Sequence, residues 1–125
     1  MNAAPALQAA TDWMDLCSVD DLVENAGISA RVAGQQLAIF YIPSATPALY
    51  ALDNFCPACE ANVLARGIVG DLAGELVVAS PLYKEHFRLA TGSCVEKPLS
   101  VRVWPVEQRG SRVWVQSHPI AQPGS

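Results

Sequence analysis

The chain has 125 residues, enough for one domain and too few for two comfortable ones. With 51% hydrophobic and 16% charged residues it can bury a real core, which excludes disorder along most of its length. A net charge of -4, a pI of about 4.9 and the lack of any Lys/Arg cluster argue against nucleic acid as a partner, and no apolar run is long enough to span a membrane.

Residues 1–11, Ala-rich with Pro5, read as a flexible tail, as do residues 117–125, with two prolines and a glycine. One domain is expected between them, at 12–116. No basic region precedes an apolar stretch at the N-terminus, so the expected location is cytoplasmic and the four cysteines, Cys17, Cys56, Cys59 and Cys94, are expected as thiols.

Within 12–116 the signal is short apolar or alternating runs cut by turn residues, which predicts an all-β sandwich. Trp13 to Cys17 is the first predicted strand. The acidic stretch Val19 to Asn25 reads as one helical turn or a loop. Ile28 to Ala33 and Leu37 to Ile42 are strands around a turn at Gly34-Gln35-Gln36. Pro43 to Pro47 breaks the pattern, because each proline removes a ladder donor. Ala48 to Leu52 is a strand, Asp53 to Asn62 a loop. Ile68 to Leu72 and Glu75 to Ala79 pair around Ala73-Gly74. Ser80 to Glu85 is a second loop, and His86 to Leu89 a short strand ending at Thr91-Gly92. Val101 to Val106 pairs with Arg112 to Gln116 across Glu107 to Ser111, with Gly110 available for a left-handed position. No segment keeps a helical period over a dozen residues.

The two loops are alike. Loop one reads Asp53-Asn54-Phe55-Cys56-Pro57-Ala58-Cys59, and loop two Ser80-Pro81-Leu82-Tyr83-Lys84-Glu85-His86-Phe87-Arg88-Leu89-Ala90-Thr91-Gly92. Each places a proline just after a short polar or thiol residue beyond a strand. This pair resembles the two cluster loops of Rieske domains. Cys56-Pro57-Ala58 matches the first loop, Ser80-Pro81-Leu82-Tyr83 the second, and Phe87, Thr91 and Gly92 the aromatic and T-G that follow. "Gly67-Ile68-Val69-Gly70-Asp71" and "Ser80-Pro81-Leu82-Tyr83-Lys84" resemble the small subunit of bacterial assimilatory nitrite reductase, a Rieske-fold family that commonly lacks the cluster ligands. The likeness covers roughly residues 13 to 116.

The resemblance implies a Rieske-type (ISP-like) antiparallel β-sandwich with two loops at one tip. A Rieske cluster takes two thiolates and two imidazoles. The matching positions here are Cys56, Ala58, Ser80 and Tyr83, of which Cys56 alone is a ligand type, so no [2Fe-2S] centre, no other metal and no catalytic residue is expected in this chain. The resemblance also implies a large nitrite reductase subunit as partner, carrying FAD, siroheme and an iron–sulfur cluster and reducing nitrite to ammonium with NAD(P)H. The tip residues Phe55, Pro57, Pro81, Leu82, Tyr83, His86 and Phe87 are the candidate interface to it.

Competing readings are weaker. Cys56-Pro57-Ala58-Cys59 has the spacing of a redox dithiol, but no helix follows to lower a thiol pKa, which favours two ordinary thiols. Zinc lacks a second tight ligand pair. An independent ferredoxin-like or dithiol module is the alternative function. The acidic residues Asp12, Asp15, Asp20, Asp21 and Glu24 read as solvated charge or as a patch for a basic surface. His118 carries no specific expectation. Trp13, Trp104 and Trp114 read as core or sheet-face residues.

Overall fold

A computed structural model describes residues 12–82 and 84–120. Its central sheet contains β2 (Ala26–Val32), β3 (Gln35–Tyr41), β4 (Leu49–Asp53) and β10 (Val103–Trp104) in the order β10-β4-β3-β2. A second sheet, β1-β12-β11, joins β1 (Trp13–Ser18), β12 (Arg112–Gln116) and β11 (Val106–Arg109). A third, β7-β8-β9, joins β7 (Ile68–Leu72), β8 (Glu75–Ala79) and β9 (His86–Arg88). The short strands β5 (Phe55–Cys56) and β6 (Ala61–Asn62) form a hairpin of their own. Every strand pair is antiparallel.

The run Leu37-Ala38-Ile39-Phe40 is fully buried, which accounts for its lack of alternation. Successive side chains point to opposite faces. Leu37 and Ile39 pack with Val32, Ala51, Trp104 and Val115, beneath the sheet that carries β12. Ala38 and Phe40 pack with Leu52, Cys56, Leu64, Val78 and Phe87, beneath the sheet that carries β8 and β9. The central sheet is therefore covered on both faces, and the second core is the one that reaches the two loops.

The turns follow backbone chemistry. Ala33 and Gly34 have φ of 51° and 79°, and Ala73 and Gly74 have 53° and 89°, the pair of positive values that a two-residue type I′ hairpin requires. The first turn is thus Ala33-Gly34, with Val32 opposite Gln35, and Gln35 and Gln36 belong to β3. The stretch Val19–Asp21 is a 3-10 turn capped by Ser18, whose hydroxyl accepts from the Asp20 amide at 3.1 Å while the Asp21 carboxylate accepts from the Ser18 amide at 3.1 Å. A second 3-10 turn at Leu64–Arg66 has no counterpart in the sequence reading.

The predicted strand Val101 to Val106 divides. Val103–Trp104 pairs with β4, whereas Val106–Arg109 pairs with β12. Pro105, which has no N–H to give a ladder, stands at the division. Gly92, at φ 78°, is the fixed point nearby: a Cβ there would collide with the Val101 carbonyl, whose own amide donates to the Gly92 carbonyl at 2.8 Å. Residues 1–11 and 121–125 of the predicted tails lie outside the described residues. The Ser117 amide donates to the Asp12 carbonyl at 2.9 Å and the Ile120 amide to the Val103 carbonyl at 2.7 Å, so the chain stays tied to the sheets beyond 116. Of the tryptophans, Trp104 is buried, and Trp13 and Trp114 flank the Arg109 guanidinium at 5.1 and 4.7 Å.

Candidate functional site

Loop one is set by Asn54. Its side chain is 3% exposed. The Nδ2 donates to the Asn62 carbonyl at 3.2 Å and Oδ1 accepts from the Ala65 amide at 2.7 Å. The backbone adds two bonds, Asn54 N–H to the Gln36 carbonyl and Leu64 N–H to the Asn54 carbonyl, both 3.0 Å. With its ends pinned, the segment from 55 to 62 folds into the β5–β6 hairpin, where a plain loop was expected. The Cys56 carbonyl accepts from the Cys59 amide at 3.2 Å and from the Glu60 amide at 2.7 Å, closing a turn over Pro57 and Ala58.

Alternation along β5 sends Cys56 inward, with no exposure, and Phe55 outward, at 45% exposure. Phe55 lines an open groove of about 430 Å³ with Arg31, Gln35, Asp53, Asn62 and Arg102. Asp53 holds that wall: its carboxylate accepts from the Arg102 amide, the Arg102 Nε and the Trp104 Nε1 at 3.0, 2.9 and 3.0 Å.

Loop two begins at Ser80, which is 1% exposed. The Ser80 amide donates to the Glu85 carbonyl at 2.8 Å, and the Lys84 amide donates to the Ser80 carbonyl at 3.1 Å. Pro81 and Leu82 project outward, Leu82 being 59% exposed. Tyr83 lies outside the described residues. Phe87 does not belong to the exposed tip: it is fully buried in the core beside Cys56, Leu64 and Val78, because the pleat of β9 turns it inward and leaves its neighbours His86 and Arg88 half-buried.

The two loops meet at the Ser80 hydroxyl. Cys56 Sγ donates to Ser80 Oγ at 3.6 Å, and Cys59 Sγ lies 2.8 Å from the same oxygen. Burial pushes the Cys56 thiol pKa up, and its hydrogen bond with the Cys59 side chain pushes it further. The structure therefore brings Cys56 and Ser80 of the degenerate positions together, and adds Cys59, which was not among them. These residues do not fit a Rieske centre. Ala58 has no donor atom, Ser80 presents a hydroxyl already engaged with two thiols, and the nearest loop-two imidazole, His86, holds Glu96 through Nδ1 at 2.6 Å. Among the described residues no group of three or more His, Cys, Asp or Glu is placed to hold a metal ion.

A charged rim borders loop two. Glu96 accepts from the His86 amide at 2.9 Å as well as facing its ring, and these contacts hold the Glu96 carboxyl below its ordinary range. Glu85 meets the Lys97 ammonium at 2.7 Å, which holds its carboxyl below the ordinary 4.5 and raises the Lys97 pKa. Since the folded Glu85 pKa lies below the unfolded one, the unfolded chain takes up the proton first. The stabilisation is complete above the ordinary value and is lost as pH falls through the folded one. Melting temperature measured from about pH 6 down to about pH 3 should drop through that window, and Glu85→Gln should flatten the drop. An unchanged slope in the variant would remove this pair from the acid response.

A row along the same end of the third sheet takes in His86, one of the expected interface residues, and adds Ile68, Ala79 and Val95, which sequence reasoning missed. Ile68 pairs with Ala79 and Ala79 with His86, and the Val95 amide donates to the His86 carbonyl at 2.8 Å. Ile68 is 79% exposed and Val95 39%. Ala79 is followed directly by Ser80, so the row lies beside loop two. The signal available in the sequence was Ile68 on the same side of its strand as Gly70 and Leu72, a face with no expected cover. The predicted acidic front is mostly committed locally: Asp15 pairs with Arg112 at 2.9 Å, Asp21 caps the 3-10 turn, and Asp12 lies 3.6 Å from His118.

Comparison with known proteins agrees with this geometry. The Rieske-like [2Fe-2S] domain family matches residues 12–116. The nitrite reductase (NADH) small subunit of Salmonella typhimurium is 42% identical over 86 residues, which cover 69% of this chain and 79% of that one. The nitrite reductase [NAD(P)H] large subunit of Klebsiella oxytoca is 44% identical over 117 residues, 93% of this chain but only 12% of that much longer one. The solution structure of the nitrite reductase [NAD(P)H] small subunit of Erwinia carotovora superposes with a TM-score of 0.71 at 34% identity, covering 92% of this chain and 91% of that one.

Proposed function

The chain belongs to the Rieske-like [2Fe-2S] domain family, on the branch of the nitrite reductase small subunits, and we propose that it serves as the accessory small subunit of an NAD(P)H-dependent nitrite reductase without a [2Fe-2S] centre of its own. The observation that carries this reading is the Ser80 hydroxyl within 3.6 Å of Cys56 Sγ and 2.8 Å of Cys59 Sγ, at the place where two loops of a Rieske domain would grip iron. One thiol position, one alanine and one hydroxyl leave the domain with contact as its means of action.

The partner is a large catalytic subunit carrying FAD, siroheme and an iron–sulfur cluster, through which electrons pass from NAD(P)H to nitrite without entering this chain. A relative in which this domain occupies 12% of a chain named as the large subunit supports the pairing, since fusion in one organism favours association of separate chains in another. The docking face is loop two with Pro81 and Leu82, extended by the row Ile68, Ala79, His86 and Val95. Exposed apolar residues beside a rim of charge have the composition of a protein interface. The cytoplasm is the expected compartment. Among the described residues no helix is long and apolar enough to cross a membrane.

The test is purification of the two chains separately and together. The expected result is a stable complex in which the small chain, assayed alone, holds neither iron nor acid-labile sulfide. Stoichiometric iron with a Rieske-type spectrum in the small chain, or no association at micromolar concentrations, would overturn the reading.

A further inference from the structure

We propose that Cys56 and Cys59 form a reversible dithiol–disulfide site, with Ser80 as the residue that positions both sulfurs and sets their redox equilibrium. The sequence favours two ordinary thiols, because no helix follows Cys59. The geometry supplies another way to bring them together. The Cys59 N–H to Cys56 carbonyl bond of 3.2 Å closes a four-residue turn over Pro57 and Ala58. Such a turn holds its first and last Cα atoms within about 7 Å, which overlaps the range a disulfide spans. Both sulfurs then converge on one hydroxyl, at 3.6 and 2.8 Å. All four cysteines are free thiols here. Neither Cys17 nor Cys94 shares this arrangement: Cys17 lies on β1, and the Cys94 thiol donates to Glu96 Oε1 at 3.7 Å.

Exposure sets the order of events. Cys59 is half-buried and Cys56 has no exposed surface, so Cys59 meets an external oxidant first. The Cys59 thiolate attacks one sulfur of a small-molecule disulfide of the glutathione type, and one thiol leaves. The Cys56 thiol gives up its proton, attacks Cys59 Sγ and displaces the second thiol. The S–S bond joins Cys56 to Cys59, the two protein thiols are oxidised by two electrons, and the external disulfide is reduced to two thiols. Ser80 has a defined part in this balance. Its hydroxyl bonds the sulfurs of the reduced pair, and a disulfide has no thiol hydrogen to offer it. Ser80 therefore favours the dithiol form and ties its redox state to the start of loop two.

The experiment equilibrates the purified full chain in glutathione buffers of graded potential, quenches with acid, unfolds the chain in denaturant with an alkylating reagent so that buried thiols react as well, and reads the products by peptide mass. The expected result is one two-electron transition, in which Cys56 and Cys59 escape alkylation together while Cys17 and Cys94 remain alkylated. Ser80→Ala should shift the equilibrium about tenfold toward the disulfide, a midpoint lower by ~30 mV. Cys59→Ser should leave Cys56 alkylated at every potential. Accumulation of a glutathione adduct on Cys59 with Cys56 still free, or pairing of either with Cys17 or Cys94, would overturn the proposal. So would an unshifted midpoint in a folded Ser80→Ala chain, as far as the positioning role is concerned. No partner subunit enters the measurement, so its outcome is independent of the proposed function.

Discussion

Asn54→Ala is expected to destabilise the domain by about 3 kcal/mol, lowering the melting temperature by roughly 10 °C or more. The side chain is 3% exposed and makes two hydrogen bonds, to the Asn62 carbonyl and from the Ala65 amide. Removal leaves a buried amide at Ala65 without its acceptor, at about 1–3 kcal/mol, and adds the space of the lost carboxamide. The loss concentrates at loop one, because those two bonds fix the start of the β5–β6 hairpin against its return. Asn54→Asp separates the contributions: the acceptor for Ala65 remains, while the donor to Asn62 is replaced by a charge facing a carbonyl. Thermal melts of the three proteins should place wild type above both variants, because the buried carboxylate facing the Asn62 carbonyl carries a desolvation cost of its own. Equal stability of wild type and Asn54→Ala would mean that loop one is held by something else.

If the proposed docking face is right, Leu82→Asp and Ile68→Asp are each expected to weaken binding to the proposed large subunit by roughly 2 kcal/mol, about 30-fold in Kd, with folding almost untouched. Both side chains are large, apolar and solvent-facing, at 59% and 79% exposure. A carboxylate there costs little in the free chain, yet would be buried without a partner at the centre of a docked face. Phe87→Asp is the contrast: that ring is fully buried, so the substitution should destroy the fold itself. Titration of the large subunit by calorimetry, with melting curves as the control, separates lost contact from lost structure. Unchanged affinity in both exposed variants would move the docking face elsewhere, the Phe55 groove being the next surface to examine.

The strands of the third sheet were legible almost to the residue, since Ala73-Gly74 is a two-residue turn between β-branched runs and the observed bounds Ile68–Leu72 and Glu75–Ala79 match the expectation. The central strand was legible as an apolar run, but not its double cover, because one segment's pattern carries no record of which other segments lie above and below it. The hairpin inside loop one was missed for a related reason. Its two strands are two residues long each, too short for alternation to register, and they exist through Asn54 bonding to residues 8 and 11 positions further on. Pro105 was visible, yet the transfer of the chain from one sheet to another at that point was not.

The candidate site divides along the same line. Residue identity alone decided that Ala58 offers no ligand and that Ser80 offers a hydroxyl in place of a thiolate, because coordination chemistry depends on which atoms are present. Only the folded chain decided that Cys59 joins Cys56 at Ser80, that Phe87 turns inward, and that Ile68 stands exposed beside loop two. Those outcomes depend on strand register and on contacts between residues far apart in sequence, such as Cys59 and Ser80, 21 positions apart, which local propensity does not encode.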